Sequence, residues 1–387
     1  MMKLHLVFLL ILTACFPEPA AAQSGREHCV LFYNVENLFH PSDDSAAGDD
    51  DFTPEGVRRW NFFRYNRKIA AICKVILAVN GWEPPDAVCF SEIENREVLD
   101  DIIFHPLLLG QQYRPLHRDG PDHRGIDVGI IYREDRLQCI DTAWLEIRDT
   151  EGEPVRTREI LAATFRLRTT GDTVVVFANH WTSKYGGAVE TEEKRLWQAR
   201  TLGAYINTLL QAVTTEARPS GLHNRHRTDR MQGISVIAGG DLNDLTGSAP
   251  VQMLTDVFQL EEVLPGVAPE TGTRQRFRSS FSRAQHSVTG IHPVTTGPSA
   301  PYASYKYQGN WGSIDHVFVS GRLRAEHCRA TVFTHPLLLE KDMKYTGEKP
   351  FRTYNGFSYH GGVSDHLPLL LHFVVPDDRE DDRKLDQ

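Results

Sequence analysis

Six short polar clusters, built from Asn, Asp, Glu and His, each follow or lie within an otherwise apolar run. In chain order they are Asn34-Val35-Glu36-Asn37, Ser91-Glu92-Ile93-Glu94-Asn95, Asn179-His180-Trp181, Gly239-Gly240-Asp241-Leu242-Asn243-Asp244, Ser313-Ile314-Asp315-His316 and Ser364-Asp365-His366. Any one of them alone reads as a turn or a cap. Six in one chain point to one assembled site. In an extended chain, alternation puts Asn34 and Glu36 on one side, and Asp241 and Asn243 likewise share a side. Carboxylates such as Glu36, Glu92, Asp241 and Asp365 are hard oxygen donors, which suit Mg²⁺, with Mn²⁺ or Ca²⁺ as alternatives; zinc sites favour Cys and His. Histidines among such donors suit proton transfer and charge stabilisation around a phosphoryl group. The chain has no HExxH, no GxSxG elbow and no GxxxxGK[ST] loop, so the common zinc-protease, serine-hydrolase and P-loop chemistries are excluded. The expected chemistry is phosphoester hydrolysis by a metal-assisted water.

Such a site needs strands that end together. Apolar runs at 28–33, 86–90, 128–132, 173–178, 234–238, 314–319 and 367–374 read as buried strands. Between them, 58–80 carries Phe62, Phe63, Ile69, Ile72, Ile76 and Val79 at helical spacing, and 190–210 does so with Leu196, Ala199, Leu202 and Ile206. Sheets covered by helices follow, in an α/β or α+β layered sandwich with no solenoid or propeller repeat. Alternation turns His316 away from its neighbour Asp315, so it stays outside the catalytic set. Trp181, Trp311, Tyr305 and Tyr307 flank the clusters and read as packing residues rather than stacking platforms.

Hydrophobic residues at 41% and charged residues at 24% are ordinary globular values and exclude a wholly disordered or collagenous chain. A formal net charge of −9 argues against a general DNA-coating role, which would show as a basic excess. Residues 1–22 have the layout of a secretory signal peptide: Lys3, an apolar stretch too short to span a bilayer, then Ala20-Ala21-Ala22. Leu12-Thr13-Ala14-Cys15 offers the competing reading of a lipoprotein box, with Cys15 lipid-modified. Either way the protein is expected to be exported, periplasmic or extracellular. One domain is expected over 23–376, with a charged, disordered tail at 377–387. Cys29, Cys73, Cys89, Cys139 and Cys328 show no metal-binding spacing and read as buried small hydrophobes. The acidic stretch 43–51 lacks EF-hand spacing and is expected to be a solvated loop. The segment 265–309 reads as a long surface insertion.

The ordered series Asn34/Glu36, Glu92, Asn179-His180, Gly240-Asp241-Leu242-Asn243, Asp315 and Ser364-Asp365-His366 resembles the endonuclease/exonuclease/phosphatase, or DNase I-like, superfamily. The likeness runs from about Cys29 to about Val375, and the Asn-Val-Glu-Asn-Leu-Phe opening is similar to that of its secreted bacterial branch. The resemblance implies a four-layered α/β/β/α sandwich of two packed, mostly antiparallel sheets. It implies that Glu92 is the principal metal ligand, with Asn34, Glu36 and Asp365 near the ion. It further implies that Asp241 orients the attacking water, Asn243 holds a phosphate oxygen, His366 and Asp315 form a dyad beside the scissile phosphate, and His180 stabilises the phosphate or leaving group. Asp127 is a weaker match that reads equally as a turn residue. The substrate is a phosphodiester or phosphomonoester. An endonuclease or other phosphodiesterase is the leading reading, a sphingomyelinase-like or inositol-phosphate enzyme the alternative, and an inactive binding protein on the same fold the reading from another class. A monomer without a stable protein partner is expected.

Overall fold

The computed structural model describes residues 27–44, 48–216, 233–266 and 303–376. The expected signal peptide, the tail and most of the 265–309 insertion lie outside the described residues. Twelve strands form two six-stranded sheets. In chain order they are β1 (His28–Leu38), β2 (Ala87–Ile93), β3 (Tyr113–Leu116), β4 (Asp127–Arg133), β5 (Leu137–Leu145), β6 (Ile160–Leu167), β7 (Thr173–His180), β8 (Ser235–Asp241), β9 (Glu261–Glu262), β10 (Asp315–Gly321), β11 (Cys328–Val332) and β12 (Leu369–Phe373). The first sheet runs β11-β12-β1-β2-β4-β3 and the second β5-β6-β7-β8-β10-β9.

Each sheet is antiparallel except for one central parallel pair, β1 with β2 and β7 with β8. Parallel partners end on the same side. The carboxyl ends of β1, β2, β7 and β8 therefore carry their polar clusters to one rim. The antiparallel strands beside them begin at that rim: Asp315 of β10 lies opposite Asp241 of β8, and β12 follows directly on the Ser364–His366 cluster. Polar groups past strand ends can face a cleft without being buried in the sheet, which is why open α/β sheets place their sites there.

Helices α1 (Phe62–Ala78), α2 (Arg96–Ile103), α3 (Glu192–Glu216) and the short α4 (Ala249–Gln252) flank the sheets. Alternation along β7 shows the layering. Val174, Val176 and Ala178 join Phe32, Phe90 and Ile130 in the core between the sheets, whereas Val175 and Phe177 pack with Ala199, Leu202 and Ile206 of α3. On the other side, α1 buries Ile69, Ile72, Cys73, Val75 and Ile76 against the first sheet. The fold is an α/β sandwich of two mixed sheets between helices, as the resemblance implies.

All five described cysteines are free thiols, four of them buried. In the acidic stretch Asp43, Asp44, Gly48, Asp50 and Asp51 are exposed, as in the expected solvated loop, with one exception. Asp49 is fully buried, and Phe52, in a turn of 3₁₀ helix over Asp50–Phe52, is buried against Phe39 at 4.5 Å between ring centroids. An apolar side chain three residues on carries the acidic loop inward.

Candidate active site

Backbone irregularity at the rim aims the side chains. β1 and β2 pair in register up to Asn34 and Ser91, after which the register shifts, and β2 with β4 shifts between Ser91 and Ile93. Such bulges re-aim side chains near sites. Glu36 (φ 52°), Asn37 (φ 49°), Glu92 (φ 64°) and Asn243 (φ 51°) all adopt the left-handed conformation that favours glycine. Non-glycine residues held there cluster at functional sites. Gly240 (φ 129°) packs its Cα against the backbone of Asn179, where an added Cβ would sit 2.2 Å from the Asn179 carbonyl oxygen. Only glycine lets β8 run that close to β7 and bring Asp241 opposite His180.

The centre is built around Asp241. The Asn34 amide donates to Asp241 Oδ2 at 3.0 Å and to Glu92 Oε1 at 3.3 Å, tying the ends of three strands together. Glu92 Oε2 accepts from the Asn37 N–H at 2.8 Å, and Asn34 Oδ1 accepts from the Glu36 N–H at 2.9 Å. His180 Nε2 lies 3.7 Å from Glu92 Oε1 and 3.8 Å from Asp241 Oδ2. His366 Nδ1 is 2.8 Å from Asp315 Oδ2, while its Nε2 lies 3.7 Å from Asp241 Oδ2. Ser304 Oγ donates to the same Asp315 oxygen at 2.5 Å, and the Tyr305 ring lies over His366 at 4.9 Å between centroids. The Asn243 N–H donates to Asp241 Oδ1 at 2.8 Å, and its amide donates to the Trp181 carbonyl at 3.1 Å. Asn34, Glu92, His180, Asp241, Asn243, Asp315 and His366 thus meet at one rim.

Burial, and then the Asp315 carboxylate, push the Asp241 carboxyl up to about 7, against the pull of His366, the Asn243 N–H and Asn34. Burial also opposes charge on His366, but Asp315 and Asp241 overcome it and raise that histidine well above its ordinary range. His180 goes the other way: burial, then Arg158 and Arg124, hold it well below that range, so it is neutral near pH 7. A charged His366 and a neutral His180 thus flank one carboxylate from opposite sides.

Glu36 and Asp365 are held in a separate ion-pair group. Arg352 pairs with Asp365 Oδ2 at 2.5 Å and with Glu36 Oε1 at 3.4 Å. Glu36 Oε2 accepts from the Thr353 N–H at 2.7 Å, and the buried Lys68 donates to the Glu36 carbonyl and, at 2.8 Å, to Thr353 Oγ1. A guanidinium is thus the cation these two carboxylates face. Asp127 accepts from the Gly120 N–H at 3.1 Å and lies 3.4 Å from His117 Nε2, so it closes a turn. His316 bonds Glu262 at 2.7 Å and the Asp244 carbonyl at 2.8 Å, on the far side of β10, as alternation requires. Trp181 is fully buried, with its indole N–H donating to Asn179 Oδ1 at 3.2 Å.

Sequence reasoning missed Arg158, which is buried beneath His180. It donates to Asp122 Oδ2 at 2.8 Å and to the His180 and Trp181 carbonyls at 3.3 and 2.5 Å. It also missed Ser304, Lys68 and Arg352. None of the four belongs to a polar cluster at a strand end. Only a buried position marks Lys68, whose neighbours Ile69 and Ile72 lie on the apolar face of α1.

The residues present fit a divalent cation. Glu92 and Asp241 are bridged by a single amide, both are oxygen donors, and among the described residues no lysine or arginine pairs with either. The buried carboxyl of Asp241 together with Asp315 and His366 forms one cluster whose ligand atoms lie within 4.8 Å of one another. Asp241 is buried and Glu92 partly buried, and the histidine between them, His180, is held neutral, so a hard cation would relieve the two carboxylates.

The two-sheet sandwich and its carboxylate–histidine rim agree with the family to which the sequence belongs. The chain belongs to the Endonuclease/Exonuclease/phosphatase family, whose profile matches residues 29–218 and 294–374. No curated protein matches the chain. Among solved structures, it is similar to an endonuclease/exonuclease/phosphatase family protein from Bacteroides thetaiotaomicron, at 14% identity and a TM-score of 0.51 over 91% of this chain and 98% of that one. It is also similar to TDP2 from Caenorhabditis elegans, at 13% identity and a TM-score of 0.50 over 92% and 76% of the two chains. A mannosyl-6-phosphatase from Bacteroides thetaiotaomicron matches at 16% identity and a TM-score of 0.47 over 89% and 98%.

Proposed function

We propose that the chain is a Mg²⁺-dependent phosphoester hydrolase, acting foremost on phosphodiesters, with nucleic acid as the first substrate class to test. The observation that carries this reading is the placement of Asp241 between the Glu92–Asn34 pair and the His366–Asp315 dyad. Glu92 and Asp241, with the Asn34 amide between them, would hold the ion, and Mn²⁺ would substitute. When bound, the metal neutralises charge developing on the phosphoryl oxygens and acidifies water.

Asp241 orients the attacking water and takes its proton. The charged His366, fixed by Asp315 and Ser304, faces the developing negative charge on the phosphoryl group. The neutral His180 donates one hydrogen bond there, and Arg158 holds its backbone in place. Arg124 and Arg352 are partly exposed at the rim and suit flanking phosphates. The leader-like residues 1–22 support an exported enzyme, with a lipid anchor at Cys15 as the alternative.

The test is a panel of bis-p-nitrophenyl phosphate, plasmid DNA, RNA, sphingomyelin and inositol phosphates, assayed with Mg²⁺, Mn²⁺, Ca²⁺ or EDTA. Hydrolysis of a diester that depends on Mg²⁺ or Mn²⁺ is expected. Turnover of none of them in any metal would favour a binding protein on this fold.

A further inference from the structure

A second acidic cluster lies away from the Asp241 centre. After β1 the chain turns through Asp43, then reaches Asp49 and Asp50; one carboxylate oxygen from each lies within 4.8 Å of the others. Asp43 and Asp50 are exposed, but Asp49 is fully buried. Its Oδ2 accepts from the Asp44 N–H at 3.1 Å, while its Oδ1 has no hydrogen-bond partner.

The second observation comes from a different element. Glu94, just past β2, is 4% exposed. Its Oε2 accepts from the His40 N–H at 2.6 Å and from the Asn95 amide at 3.1 Å, but its Oε1 is buried without a partner. That carboxyl faces Asp49. Two buried carboxyls thus each spend one oxygen on donors and turn the other toward each other. Among the described residues no lysine or arginine pairs with Asp43, Asp49, Asp50 or Glu94. Ionising two facing buried carboxyls without a counter-ion is costly, by several kcal/mol as an order of magnitude.

We infer that Asp43, Asp49, Asp50 and Glu94 form a second divalent-cation site, distinct from the Glu92–Asp241 centre, that takes Ca²⁺. Carboxylates from two separate segments, mixed with backbone carbonyls and water, match the high and flexible oxygen coordination of Ca²⁺ better than the strict octahedron of Mg²⁺. The ion would fasten the loop after β1 to the end of β2. Phe52, packed on Phe39, closes the apolar side of the same loop. Glu94 is two residues beyond Glu92, so the site would also brace the strand end that carries the catalytic carboxylate. The inference does not rest on the proposed activity.

Equilibrium dialysis of the full chain against Ca²⁺ tests it, in a Glu92→Gln background that disables the catalytic centre. One Ca²⁺ per chain is expected. Asp43→Asn on that background should weaken binding at least tenfold, and Asp49→Asn should abolish it. Asp49 is buried and its variant can fail to fold; Asp43 is exposed, so its variant decides the matter in that event. Ca²⁺ should also raise the Tm of the parent by more than that of Asp43→Asn. No Ca²⁺ bound by the Glu92→Gln chain at millimolar concentration, or unchanged affinity in Asp43→Asn, overturns the site. A carboxyl pair that merely shares a proton would give the first of these results.

Discussion

Replacing Asp315 with Asn removes the charge that fixes and charges His366 while keeping the side chain's shape. The two side chains are 2% and 6% exposed and their contact is 2.8 Å, so this is a buried, charge-assisted hydrogen bond. Such bonds contribute roughly 1.5–3 kcal/mol. If that stabilisation reaches the transition state through His366, kcat should fall on the order of 10- to 100-fold, at about 1.4 kcal/mol per decade. The Ser304 hydroxyl, 2.5 Å from the same Asp315 oxygen, can still hold an Asn, which keeps the expected loss inside that range. The assay is steady-state hydrolysis of a diester by wild type, Asp315→Asn, His366→Ala and the double variant, with circular dichroism to confirm folding. KM should move much less than kcat, and the double variant should be little worse than His366→Ala, because groups that act as one unit are not additive. Multiplicative losses would show that the two residues work independently and would refute the dyad.

Other consequences can be checked in parallel. His372 is held down to about 3 by burial and by Arg329, which donates to its Nδ1, while its Nε2 bonds Asn80. Its folded pKa lies below its unfolded value of about 6.5, so its stabilisation is complete above about 6.5 and is lost as pH falls from there towards 3. Urea unfolding at pH 6.5 and 5.5 should show this residue contributing about 1 kcal/mol of loss over that unit, approaching about 1.4 kcal/mol per unit below it, and His372→Gln should remove that contribution. Arg352→Gln frees both Asp365 and Glu36; with the guanidinium side chain 37% exposed, about 1 kcal/mol of stability should be lost. No change in the urea midpoint would show that pairing to be idle. Asn61 caps α1 by accepting from the Arg64 N–H at 3.2 Å, and Asn61→Ala should cost about 1 kcal/mol without altering kcat, as read from thermal unfolding and diester hydrolysis.

The strands that carry the site were legible because each is a continuous buried run: every residue of β8, and all but the first of β7, is buried, so apolar character alone marks them. The edge strands β3, β5, β9 and β11, and β6 beside β5, were not. β5 mixes exposed Gln138, Ile140 and Asp141 into its run, and β11 alternates Arg329 and Thr331 with buried residues over only five positions. The eight-residue α2 is too short for its period to stand out. The polar clusters at strand ends announced the residues that meet at the rim, since polar groups at the end of a buried strand need a partner or a cleft. Residues that act through burial, such as Arg158 and Lys68, left no such mark. Neither did the pairing of Glu36 with Asp365 through Arg352, which joins positions more than three hundred residues apart. In the acidic loop charge rightly suggested solvent for Asp43, Asp44, Asp50 and Asp51 but gave no sign of buried Asp49, beside the single apolar anchor Phe52.

The most direct measurement is hydrolysis of bis-p-nitrophenyl phosphate by wild type and Glu92→Gln across a Mg²⁺ titration, with EDTA as the zero point. Glu92 shares the Asn34 amide with Asp241, and its second oxygen is fixed by the Asn37 N–H, so removing its charge should weaken metal use without unfolding the rim. Wild type should be inactive in EDTA and recover with Mg²⁺, while Glu92→Gln should need far more Mg²⁺ and stay on the order of 100-fold slower at saturation. Full wild-type hydrolysis in EDTA, or a Glu92→Gln curve that overlays wild type, would contradict metal-dependent phosphoester hydrolysis at this site.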